Sequence, residues 1–182
     1  MIKLNLNTEK SELLNNKSSE KIELDEKLTQ LQIIELIKKH SNQKYYNSLL
    51  EIIIYQYNEI TDNILNYILD NSNYIPLAND IVTCGKASDV ILNRLLVHPS
   101  DSVSKHAELA LLSNRLKTMS SEELEIFYLK LLEKKYELMD EANTYFAYNP
   151  KTPKKILSII LKNSGGVFAD YLKRIIGQNS TL

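Results

Sequence analysis

Three stretches of the chain share one pattern: a hydroxyl, Asp or Pro start, then an Ile-Leu pair, then two more aliphatic residues. They read Thr61-Asp62-Asn63-Ile64-Leu65-Asn66-Tyr67-Ile68-Leu69, Ser88-Asp89-Val90-Ile91-Leu92-Asn93-Arg94-Leu95-Leu96 and Pro153-Lys154-Lys155-Ile156-Leu157-Ser158-Ile159-Ile160-Leu161. At 3.6 residues per turn the pair and the next aliphatic share a face, so each copy specifies an amphipathic helix with its own start signal. One such helix cannot bury its apolar stripe alone, and recurrence at roughly 25–35 residues is how stacked helix pairs read in sequence. Starts at Thr29, Thr61, Ser88, Ser121 and Pro153 are separated by 32, 27, 33 and 32 residues. The expected fold class is all-α: an α-α superhelix (solenoid) of about five short helix pairs. An irregular helical bundle, whose helices look alike because all are amphipathic, is the alternative.

Composition narrows the function classes. The chain has 182 residues, 43% hydrophobic and 25% charged, which is ordinary for a soluble globular protein. A net charge of −1 gives no global attraction to nucleic acid or to an anionic membrane. The single cysteine, Cys84, excludes an intramolecular disulfide and any all-cysteine metal site. The start lacks the unbroken apolar stretch of a signal peptide, and no run approaches the roughly 18–20 apolar residues of a membrane span. A cytoplasmic location is expected. Asn, Ile, Lys and Tyr share A/T-rich codons, so a single Asn or Lys carries little information.

Residues 1–24 are polar and broken by Asn15-Asn16-Lys17-Ser18-Ser19, and they read as a flexible N-terminal arm. Residues 25–182 read as one helical-repeat domain. Thr29 and Gln32 have the form of a capping box, as do Ser120 and Glu123. Leu49 to Tyr55 contains a β-branched run that would suit a strand, but its length without Gly or Pro favours a buried helix. Ile75 to Thr83 tolerates Pro76 in its first turn, and Gly85 ends it. A helix from Val103 to Leu112 is expected, then a longer one from the Ser120 cap, then one from about Tyr136 to Ala147. Thr152 is the expected N-cap of the helix that opens with Pro153, and Gly177 the expected stop of the last.

The turn Tyr148-Asn149-Pro150-Lys151-Thr152-Pro153, with the Leu-bearing helix after it, resembles the repeat of the leucine-rich-repeat-variant family. Leu95-Leu96-Val97-His98-Pro99-Ser100-Asp101-Ser102-Val103 looks like that family's helix-to-helix junction. The resemblance implies a right-handed superhelix of stacked short helices, close in kind to HEAT and armadillo arrays. Some members of the family carry a cysteine-ligated iron–sulfur cluster, which Cys84 alone could not hold. No cofactor is expected.

Nothing in the sequence marks a catalytic or metal centre. His40, His98 and His106 are scattered, and Pro99 breaks the helix that would align the last two. Glu122-Glu123 and Asp140-Glu141 are sequence neighbours that point about 100° apart on a helix, so neither pair converges on a substrate. Phosphate-loop and His-Glu-x-x-His patterns are absent. The expectation is therefore not an enzyme. Charge, by contrast, is unevenly placed. Between Glu51 and Cys84 lie five acids and no Lys or Arg, in a stretch also rich in Tyr. Tyr supplies contact area with a polar tip, so an acidic Tyr-rich face is expected to bind a basic protein partner. Its candidate residues are Tyr55, Tyr57, Glu59, Asp62, Tyr67 and Asp70, and an inhibitor or immunity-type protein is the specific form. The C-terminal repeat is the reverse, and Lys151, Lys154 and Lys155 are the candidates for an alternative, nucleic-acid-binding role. Acidic middle and basic end would also attract each other between copies of the chain.

Overall fold

The structure, a computed structural model, describes residues 2–4, 22–24 and 28–178. Two short strands, β1 (Ile2–Leu4) and β2 (Ile22–Leu24), pair in parallel with Ile2 opposite Ile22. The rest of the expected N-terminal arm, and its flexibility, lie outside the described residues. Everything between Gln30 and Gln178 that is regular is helical. The ten helices are α1 (Gln30–His40), α2 (Tyr46–Gln56), α3 (Asp62–Asn71), α4 (Ile75–Thr83), α5 (Asp89–Leu95), α6 (Asp101–Thr118), α7 (Ser121–Glu133), α8 (Met139–Tyr148), α9 (Lys154–Lys162) and α10 (Gly166–Gln178).

Local chemistry accounts for most of these boundaries. Thr29 accepts from the Gln32 backbone N–H while the Gln32 side chain returns to Thr29 N–H, the reciprocal capping box that opens α1. Ser120 and Glu123 do the same for α7, and Ser88 caps α5 through Val90 and Ile91 N–H. Pro76 sits in the first turn of α4, where the missing N–H costs nothing, and Gly85 follows it at φ 72°.

Several boundaries differ from expectation. α6 runs through Ser113 and Asn114 to Thr118, because Leu109, Leu112 and Leu116 continue its buried stripe. α10 passes through Gly177 to Gln178. Thr152 is not the cap of α9. It is buried, and its hydroxyl donates back to the Phe146 carbonyl at 2.7 Å, leaving Pro153 at the N-cap.

The chain forms two compact units, residues 1–108 and residues 109–182, divided within α6. In the first, α1, α3 and α5 lie side by side in sequence order, while α2 packs on α4 and on β2. The Ile-Leu pairs supply the core. Ile64, Leu65 and Ile91 are fully buried, and Leu92 nearly so. In the second unit, Ile156 and Leu157 join Leu124, Tyr128, Phe146 and Leu172 in one apolar cluster.

Several side-chain bonds between helices fall at a similar spacing. In the first unit Thr61 donates to Gln30, Ser88 to Asp62, Arg94 to Asn66, and His106 bonds Asn79, at separations of 31, 26, 28 and 27 residues. In the second, Asn149 donates to the Leu116 carbonyl and Lys155 to Glu125, at 33 and 30. Each bond joins two helices, or a turn to a helix, that are not consecutive in the chain.

Candidate partner-binding surface

The expected acidic face begins at the C-terminal end of α2. Tyr55 is half exposed, and its hydroxyl donates to Asp80 Oδ1 of α4 at 2.7 Å. Tyr57 is a core residue and not a surface one. It is 2% exposed, with its hydroxyl donating to the Leu28 carbonyl at 2.7 Å. Burial, then the nearby Glu59 charge, raises its phenol above the ordinary value. Glu59 itself is exposed in the α2–α3 connection.

On α3 the acids are engaged by the chain's own side chains. Asp62, Asn66 and Asp70 recur every four residues and so line one stripe of the helix. That stripe meets α5: Asp62 accepts from Ser88 at 2.5 Å, and Arg94 bridges Asn66 and Asp70, at 2.6 Å each. Tyr67 is half-buried, with the Lys38 ammonium 5.7 Å from its ring centre. Burial, then the proximity of Tyr67, also raises the phenol of Tyr46. The six candidates therefore do not form one continuous acidic surface. A sequence window free of Lys and Arg is supplied with Lys38 by α1, Lys86 by the α4–α5 connection and Arg94 by α5.

Lys86 is the most consequential of these cations. Its ammonium donates to the carbonyls of Ile54, Tyr55 and Tyr57 at 3.1, 3.0 and 3.0 Å. Two of these belong to the last turn of α2, whose carbonyls have no partner within the helix and carry its negative dipole end. Lys86→Met retains the stem and removes the charge. It is expected to destabilise the protein by about 2 kcal/mol in urea unfolding, the range for hydrogen bonds to a charged group.

What the first unit does present is a groove of about 430 Å³ beside the α3–α4 and α5–α6 turns. Ile68 and Leu95 form its apolar floor, with Tyr74, Ile75, Arg94 and His98 around them. Tyr74 and Ile75 are 43% and 48% exposed. His98 Nδ1 accepts from Ser100 N–H at 3.1 Å, which places the proton of the neutral ring on Nε2. In the sequence Tyr74 is one of the tyrosines of the Tyr-rich stretch and His98 a helix-junction residue; the groove arises from helix stacking.

The remaining histidines have separate neighbours. His40 Nδ1 lies 2.7 Å from Tyr45 Oη, and burial, then Lys39, lowers its pKa. His106 bonds Asn79. Cys84 is half-buried, with its thiol donating to the Ile81 carbonyl. Among the described residues no group of three His, Cys, Asp or Glu is placed to hold a metal, and no helix is long and apolar enough to cross a membrane.

The basic candidates lie in the second unit. Lys155 is ion-paired with Glu125 at 2.5 Å, and the Lys151 ammonium reaches the Lys117 carbonyl at 3.4 Å. Lys154 is exposed at the start of α9. A second groove of about 400 Å³ runs along α7 and the last turns of α6. The two units differ in charge. Residues 28–108 carry nine acids and six bases, a balance of −3, and residues 109–177 carry eight acids and eleven bases, a balance of +3. Comparison with family models, curated proteins and solved structures finds no match to this chain.

Proposed function

We propose that this protein is a non-catalytic helical-repeat module that binds another protein. One observation carries the reading: side-chain bonds between helices or turns that are not consecutive in the chain recur at 24 to 34 residues, from Arg94–Asp70 to Lys151–Lys117. Contacts of that kind build an α-α superhelix in which each pair touches its neighbours, an architecture whose use is an extended surface for a partner. The Asn149 turn supports the resemblance to the leucine-rich-repeat-variant and HEAT-like families. Its side chain fastens the turn to the preceding pair through Leu116, while its Oδ1 accepts from Lys151 N–H.

The partner of the first unit is a basic protein, and an inhibitor or immunity-type role is the specific form. The balance of −3 supports this, with Glu51, Glu59 and the exposed Tyr55 and Tyr74 as the contact residues. The test is capture of the partner by the full chain from its native host, followed by reconstitution with both purified proteins. The expected result is salt-sensitive binding that weakens at least tenfold in Glu51→Lys/Glu59→Lys. Tight binding that ignores the double reversal would overturn the basic partner. Binding of DNA or RNA at low salt, with loss in Lys151→Glu/Lys154→Glu, would establish the nucleic-acid alternative instead.

A further inference from the structure

The groove on α7 has a composition unlike that of the net-acidic first unit. Glu123, Ile126, Phe127, Lys130, Leu131 and Lys134 follow one another at i, i+3, i+4, i+7, i+8 and i+11, a single stripe of the helix. The adjacent face, with Leu124 and Tyr128, is fully buried. The stripe thus runs along the flank of α7, from the core edge at Leu131 to the exposed Ile126, and its centre is apolar. Ile126 is 55% exposed, and Phe127 and Leu131 are only partly covered by the core.

The rim is cationic. Arg115, from the last turns of α6, stacks over the Phe127 ring at 4.4 Å, Lys130 stands in the C-terminal half of α7 and Lys134 is its C-cap. Arg115, Lys130 and Lys134 make no ion pair among the described residues. Other cations of the chain do: Arg94 with Asp70, Lys105 with Asp101, Lys155 with Glu125 and Lys173 with Asp170. The one carboxylate in the groove, Glu123, is engaged by Ser120 N–H at 2.7 Å and belongs to the helix cap.

We propose that this groove is a docking site for an acidic amphipathic helix of a partner protein. Apolar residues at i, i+3 or i+4 would cover Ile126 and Phe127, and flanking Glu or Asp would meet Arg115, Lys130 and Lys134. Such a helix laid in an apolar groove is a recurring mode of peptide recognition. Charge complementarity selects the occupant: three unpaired cations around an apolar floor favour an acidic apolar segment over a neutral or basic one. The inference is independent of whether the first unit binds a basic protein.

The probe is a fluorescein-labelled helical peptide of about four turns, Leu on one face and Glu on both flanks, titrated with the full chain by anisotropy. Binding is expected in the micromolar range, and at least tenfold weaker for the same peptide with Lys in place of Glu. Ile126→Glu and Lys130→Glu/Lys134→Glu are each expected to weaken it at least tenfold. All of these residues are exposed, so an unchanged melting temperature separates lost docking from lost folding. Equal affinity for the Glu and Lys peptides, or binding indifferent to Ile126→Glu, would overturn the proposal. So would concentration-dependent dimerisation abolished by Ile126→Glu, which would make the occupant a second copy. Tighter binding of a single-stranded oligonucleotide than of the Glu peptide, lost in Lys130→Glu/Lys134→Glu, would overturn it in favour of a polyanion site.

Discussion

Ile64→Ala is expected to destabilise the first unit by about 2–5 kcal/mol, the range for truncating a fully buried Ile. Ile64 belongs to the first copy of the Ile-Leu motif, is 0% exposed, and lies on the helix that packs against α1, α4 and α5. A domain of ordinary stability holds only about 5–15 kcal/mol in reserve, so the variant gives up a large share of it. Asn63→Ala, one residue earlier and exposed, is the control and is expected to fall within about 0.5 kcal/mol of the parent. Urea denaturation reads both. If the stack is built of nearest-neighbour contacts, hydrogen exchange should quicken in α1, α3 and α5 before it does in α9. Equal losses for Ile64→Ala and Asn63→Ala would sink the idea that the motif forms the core.

That motif explains how much of the fold the sequence discloses. Thr29, Thr61, Ser88 and Ser120 each precede a helix, and three of the four accept from backbone N–H groups of the first turn. Start signals are local, so they survive without tertiary context. Stops are less legible. α7 ends at Glu133 without a glycine, and Lys135 takes the left-handed conformation at φ 52°. Tyr136 N–H then bonds the Leu131 carbonyl, closing the helix as a glycine would have announced. Nothing in Glu133-Lys134-Lys135-Tyr136 gives that away, and α8 accordingly begins at Met139, later than expected.

The surface was harder to read than the scaffold, for a physical reason. Net charge along a window ignores what other helices bring to it. Asp62, Asp70 and Asp80 look like a face for a partner, yet they are engaged by Ser88, Arg94 and Tyr55, residues 24 to 26 positions away. The stripe on α7 was hidden for the opposite reason. Leu124, Phe127 and Leu131 share one apolar period, and only the packing shows that Leu124 and Tyr128 are buried while Ile126 stays 55% exposed beside a partly covered Phe127.

Between about pH 10 and pH 12 the second unit is expected to lose about 2 kcal/mol of stability through one residue, Tyr128. Its ring is 1% exposed, packed edge-on against Phe146 at 4.9 Å, and its hydroxyl donates to Asn143 Oδ1 at 3.0 Å. Burial pushes the phenol up to about 12 from an ordinary 10. The folded state therefore keeps a proton that the unfolded chain has released. Stability is complete below the unfolded value and falls as pH rises toward the folded one, by about 1.4 kcal/mol per unit of separation. Tyr128→Phe should cost about 1 kcal/mol at neutral pH, from the lost hydrogen bond and an Asn143 carbonyl left without its donor. Above pH 10 the same variant should lose less than the parent, so the two stability curves converge and then cross. Tyr148→Phe, at a ring that is 62% exposed, should leave the alkaline loss intact. Urea midpoints across this range for the three proteins decide the matter: an alkaline loss as steep in Tyr128→Phe as in the parent would move its cause to another tyrosine.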